Sequence, residues 1–105
     1  MNDISTVNKV FLVGQISRTP RWHKKGAEDA ALCFTVTTLE MHRQQNKLIE
    51  HVEQHAVKLE EKRFERELKL GQTVHVEGKL KTTAFLEDGI RRYKTEVVAM
   101  RVTPV

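Results

Sequence analysis

Two clusters in this 105-residue chain set an aromatic ring among several cations, a combination that can grip a polyanion carrying flat rings. In the first, Trp22, the only tryptophan, stands among Arg18, Arg21, Lys24 and Lys25. In the second, Phe85 lies between Lys79 and Lys81 on one side and Arg91, Arg92 and Lys94 on the other. An indole or phenyl face stacks on a planar base, while guanidinium and ammonium groups pair with phosphates. Each cluster also has a plainer reading. Trp22 could lie as a lid over one end of a folded domain with its cations solvated, and Phe85 could make a contact between subunits. The expectation for both is the first: a base platform with phosphate clamps.

Eighteen Lys and Arg against fourteen Asp and Glu leave a net charge of +4, too small a surplus to specify a polyanionic partner by itself. The distribution says more. Glu50, Glu53, Glu60, Glu61, Glu65 and Glu67 gather in the middle of the chain, so cations dominate only Arg18–Lys25 and Lys79–Lys94. No P-loop, GxSxG or Gly-rich dinucleotide turn is present, and no enzyme and no cofactor is expected. His51 and His55 would make a zinc pair on a helix. On a strand they would stand roughly 13 Å apart, too far for one ion, so no metal is expected. Cys33, within ALCFTV, is expected to be a small buried hydrophobe. A lone cysteine forms no internal disulfide, which suits a reducing, cytoplasmic setting. No apolar run is long enough for a membrane span, and no signal-peptide pattern opens the chain.

The elements that position these residues read mostly as strands. Val10, Leu12 and Ile16 share one parity and Phe11 and Val13 the other, a strand covered on both faces and bent at Gly14. Phe11, Phe34 and Phe64 are expected in the core, with Tyr93 assigned to neither core nor groove. Thr19-Pro20 and Gly26 mark a loop, which leaves Trp22 beyond the strand end. ALCFTVTTLEM is a second strand, and HRQQNKL is a polar connection. From Leu48 to Leu70, Ile49, Val52, Ala56 and Leu59 recur at helical steps in a helix-favouring composition, so taken alone the stretch is one amphipathic helix. Val57 and Leu59 also alternate with Lys58 and Glu60. A strand to about Leu59 and then a short helix, with Phe64 and Leu68 inward and Gly71 just past its end, is also permitted. TVHVEGKLKT alternates cleanly, Asp88-Gly89 is a hairpin turn, and RYKTEVVAMRV is the last strand. The order describes a small closed β-barrel.

NKVFLVGQISRTP, FTVTTLE, VEQHAVKL, KLGQTVHVEGKLKT and RYKTEVV, in that order over about residues 7–102, resemble the bacterial single-stranded DNA-binding protein family. The resemblance extends to compact tail-less relatives of the primosomal replication protein N kind. It implies an all-β, five-stranded OB-fold Greek-key barrel with one short helix between strands 3 and 4. The VEQHAVKLE segment is then strand, not helix. One domain is expected over 1–105, and the acidic C-terminal tail of full-length family members is expected to be absent, because the sequence closes on Thr103-Pro104-Val105.

The family stacks bases on tryptophans and a phenylalanine, and this chain departs from that pattern. Gln54 stands where the third strand would carry Trp, Glu60 where a Phe would follow, and Met41-His42 where the second strand would end in Trp. Only Phe85 remains aromatic. Gln54 and Lys58 share a strand face and are expected to meet a base edge and a phosphate, with Glu60 repelling the backbone. His55 occupies a family position of core or subunit contact and is expected at an oligomer interface. The expected partner is single-stranded DNA, with RNA as the alternative, bound by a homodimer or homotetramer acting in replication, repair or recombination. Electrostatics would carry what stacking carries elsewhere, giving modest affinity and steep salt dependence. The rival reading is a protein-interaction subunit for replication or primosome proteins that has lost most of its DNA contact.

Overall fold

The computed structural model describes residues 5–105, so the first four residues of the expected 1–105 domain lie outside it. Five strands, β1 (Val10–His23), β2 (Ala31–Gln44), β3 (Lys47–Glu60), β4 (Thr73–Glu87) and β5 (Ile90–Pro104), close into a barrel in the order β1-β2-β3-β5-β4. All pairings are antiparallel except β3 with β5, where Val57, Lys58 and Leu59 run beside Val97, Val98 and Ala99. This is the five-stranded OB-type barrel the resemblance implies.

Closure depends on β1 changing partner. Val10–Gln15 pair with β4, and Gln15–His23 pair with β2. Gly14 sits at that switch because a Cβ there would lie 2.4 Å from the Thr37 carbonyl oxygen. Where β1 has not yet joined β4, the Asn8 side chain takes a strand's place. Its amide donates to the Leu80 carbonyl (2.8 Å), and its oxygen accepts from the Leu80 N–H (2.9 Å). Ile16, Val36, Val57, Val74 and Val76 fill the interior with almost no exposure, joined by Phe34, Leu59, Val97 and Ala99. Burial of each of these side chains larger than alanine contributes about 1.5–3 kcal/mol.

Several expectations need correction. The whole of Lys47–Glu60 is strand, paired with β2 along its length, so the helical reading of this stretch fails. Its helix-favouring residues yield to a ladder of hydrogen bonds and to the burial of Val57 and Leu59. The helix that follows is a single 3₁₀ turn, Glu61–Arg63, and Phe64 and Leu68 reach the core from the irregular chain beyond it. Gly71 does adopt a left-handed φ of 88°, in a turn and not at a helix end. HRQQNKL is no loop either. Gln45 and Asn46, with φ of 50° and 64°, make a two-residue hairpin turn, like Asp88 and Gly89 at 52° and 77°. Phe11 leaves the core list: it is 57% exposed on the outer face, edge-on to His75. β1 is covered on one face only, since Val13 is exposed as well.

The radius of gyration is 16.2 Å, against about 13 Å for a compact chain of this length. Two ribbons account for the excess. The distal halves of β2–β3 and of β4–β5 run past the barrel with both faces exposed.

Candidate nucleic-acid interface

Strand alternation decides which side chains can meet a ligand. Leu32, Phe34 and Val36 of β2, Val57 and Leu59 of β3, and Val97 and Ala99 of β5 point inward. Their neighbours Cys33, Thr35 and Thr37, then Gln54, Ala56 and Lys58, then Lys94, Glu96 and Val98, therefore line the outer face. β1 adds Arg18, opposite Thr35, and Arg21, opposite Cys33. Three residues apart, these arginines would face opposite ways on a regular strand. The register shifts between Ile16 and Arg18 and between Arg18 and Arg21 turn both outward.

The result is an open groove of about 580 Å³. Cys33, Thr35 and Ala56 line it together with Arg18 and Arg21 from β1 and Lys94 and Glu96 from β5. Thr37 donates a 2.6 Å hydrogen bond to Ser17, tying β1 to the floor. Among the described residues Arg18 and Arg21 belong to no ion pair, nor do Lys58, Lys79 and Lys81, so their charges are free to meet an anion. Lys94 is 3.9 Å from Glu96, and Arg92 is 3.3 Å from Glu87.

The residues singled out in the sequence separate into three groups. Arg18, Arg21 and Lys94 line the groove itself. Gln54 continues its floor beside Thr37, while Lys58 and Lys81 line a neighbouring hollow of about 310 Å³ whose other charged groups include Glu28, Glu60 and Glu61. Lys79, Lys81, Phe85, Arg92 and Lys94 share one face of the β4–β5 ribbon, because Lys79 opposes Val98, Lys81 opposes Glu96 and Phe85 opposes Arg92. Arg91 does not join them. It opposes Leu86 on the other face, with its guanidinium 5.8 Å from the Tyr93 ring centre.

Trp22 is placed differently from the expectation. β1 continues through Thr19-Pro20 to His23, so Trp22 is a strand residue and not a loop residue. It opposes Leu32, turns inward and packs half-buried at the barrel end, edge-on to Phe64 with ring centres 5.2 Å apart. Lys25 lies 5.6 Å from its ring centre. Lys24 pairs with Asp29 at 2.9 Å, and this hydrogen bond holds the Asp29 carboxyl below its usual range. Trp22, Lys24 and Lys25 thus gather at the barrel end, outside the groove. Phe85 is partly exposed on its ribbon.

His55 is half-buried, its Nε2 2.9 Å from the Thr38 hydroxyl, while His51 meets His42 edge-on with ring centres 4.5 Å apart. Cys33 was expected in the core and lies instead half-buried in the groove floor. Burial, seconded by the negative charge of Glu96, pushes its thiol above the usual range. Glu96 itself went unremarked in the sequence. Its shared parity with Lys94 and Arg92 is the signal that could have found it.

A family model described as the single-strand binding protein family matches residues 7–105. Among solved structures, a Plasmodium falciparum SSB complex with ssDNA aligns with a TM-score of 0.82 at 21% identity, covering 100% of this chain and 99% of that one. A deletion mutant of the single-stranded DNA-binding protein from Thermus aquaticus gives 0.82 at 23% identity over 94% of this chain and 50% of its own, so this chain spans half the length of that one. A small single-stranded DNA-binding protein from Streptomyces coelicolor gives 0.65 at 19% identity, covering 100% and 96%. At these identities the likeness bears on the fold.

Proposed function

We propose that this chain, which belongs to the single-strand binding protein family, binds single-stranded DNA without catalysis in the groove across the outer face of β2 and β3. The observation that carries the reading is convergence. Arg18 and Arg21 on one side and Lys94 on the other come from strands far apart in sequence and meet across one floor of mixed polar and apolar side chains. A polynucleotide laid along Cys33, Thr35 and Ala56 meets cations on both flanks, and the bases face hydroxyls and an amide rather than a row of rings. Phosphate pairing then supplies most of the affinity, which makes binding strongly salt-dependent.

The wider role belongs to the same proposal: a homodimer or homotetramer acting in replication, repair or recombination, with His55 at the subunit contact. A second reading has its own support. Among the described residues no exposed aromatic side chain lines the groove, and the outer face of the β2–β3 ribbon exposes Leu39, Met41, Leu48 and Val52. These features suit a subunit that docks proteins of a replication or primosome assembly. Fluorescence anisotropy with a labelled mixed-sequence oligonucleotide, followed through a salt titration beside sedimentation, separates the two. Saturable binding that weakens steeply with salt supports the DNA reading. No binding up to high micromolar protein at low salt selects the interaction subunit.

A further inference from the structure

Glu96 is a carboxylate in the wall of a cationic groove, and among the described residues its one ion-pair partner is Lys94, with no hydrogen bond to its side chain. Its side chain is only 14% exposed. The nearest cation, the Lys94 ammonium, stands 3.9 Å away, beyond hydrogen-bond reach, and Lys81 is its partner across the β4–β5 ladder. One residue before the Val57–Val97 pair on each strand stand Ala56 and Glu96, and both line the groove, with Glu96 also reaching the neighbouring hollow. Its field reaches the floor, where it adds to the effect of burial in raising the Cys33 thiol.

A bound strand changes this balance. Its phosphates compete for Lys94 and Lys81, and Glu96 then needs a donor from the ligand, because a covered carboxylate without one is costly. The DNA backbone offers only acceptors, so the donor has to come from a base. Thymine presents a single imino N–H between two carbonyl oxygens, both of which repel a carboxylate. Cytosine and adenine present an amino group, and guanine sets an imino N–H beside an amino group, matching the two carboxylate oxygens. In a single strand these edges are free to be read.

We propose that Glu96 is a specificity-determining residue that accepts hydrogen bonds from base amino groups, so that the groove prefers amino-bearing bases over thymine. The inference rests on the reading of the groove as a single-strand site. The same carboxylate could accept from a ribose 2′-hydroxyl, and the test separates that source.

Anisotropy at neutral pH and fixed salt would compare labelled dC, dT and rU oligomers of equal length on the wild-type chain and on Glu96→Gln. The wild type should bind dC roughly fivefold or more tightly than dT. Glu96→Gln, isosteric and able to both donate and accept, should bind both oligomers more tightly and bring the ratio towards one. Equal affinity for dC and dT, a preference for dT, or a dC preference unchanged in Glu96→Gln each overturn the inference and leave the groove standing. A gain confined to rU, lost in Glu96→Gln, assigns the contact to ribose and also overturns it. Failure of every oligomer to bind refutes the groove as well.

Discussion

Replacing Arg18 and Arg21 together by alanine should flatten the salt dependence of DNA binding by an amount that follows from the geometry. Neither side chain is in an ion pair among the described residues, so their removal leaves no acid unpartnered. On single strands each phosphate neutralised contributes about −0.7 to the slope of log K against log salt. If Arg18, Arg21, Lys58, Lys79, Lys81, Arg92 and Lys94 all meet phosphate, the slope is roughly −5. If Arg92 and Lys94 stay with Glu87 and Glu96, it is roughly −3.5. Affinity then falls about 10²–10³-fold between 50 and 200 mM salt. The double variant should lose roughly 1.4 from the slope, and Arg91→Ala, on the opposite face of its ribbon, almost nothing.

The assay is anisotropy of a labelled mixed-sequence oligonucleotide, titrated at four or more salt concentrations, with thermal melting as a check on folding. An unchanged slope in the double variant would refute the groove as the phosphate-binding surface. So would an Arg91→Ala variant that flattens the slope as much as Arg92→Ala, since the face assignment would then have no consequence.

Trp22→Ala should lower stability by about 2 kcal/mol, less than for a fully buried ring, and leave the salt slope intact. Lost binding in a variant of unchanged melting temperature would show that the ring contacts the ligand after all. Gly14→Ala forces a methyl group against the Thr37 carbonyl at 2.4 Å and should cost about 1–3 kcal/mol in a denaturant titration, whereas a wild-type midpoint would mean the strands can part there freely. Because burial raises the Cys33 pKa, less thiolate exists at a given pH, so alkylation at pH 8 should be slower than for free cysteine and slower again with DNA bound. A rate equal to that of free cysteine in both states would contradict the groove-floor placement.

The local signals that proved readable are those that depend on a few adjacent residues. Alternation located β2, β4 and β5, and Asp88-Gly89 marked its hairpin because a two-residue turn needs both φ angles positive. Gln45-Asn46 makes the same kind of turn, but without glycine it passed for a connection. In β3, composition and apolar spacing favoured helix. What fixed it as strand was pairing with β2 and β5, of which the segment itself carries only the alternation of Val57 and Leu59 with Lys58 and Glu60.

Residue types and alternation by themselves determined the strands on either side of the Leu48–Leu70 stretch and the concentration of cations in two segments, while the family resemblance, not the pattern, implied that the middle of the chain is strand as well. The tertiary structure decided which of those cations share a surface. Arg18 and Arg21 face the same way because of register shifts against β2, and Arg91 and Arg92 part company because adjacent strand residues point to opposite faces. Trp22 turned from a loop-borne platform into packing at the barrel end once β1 was seen to run to His23. Register is set by hydrogen bonds between strands distant in sequence and by the fit of a shared interior, so no short window of residues encodes it.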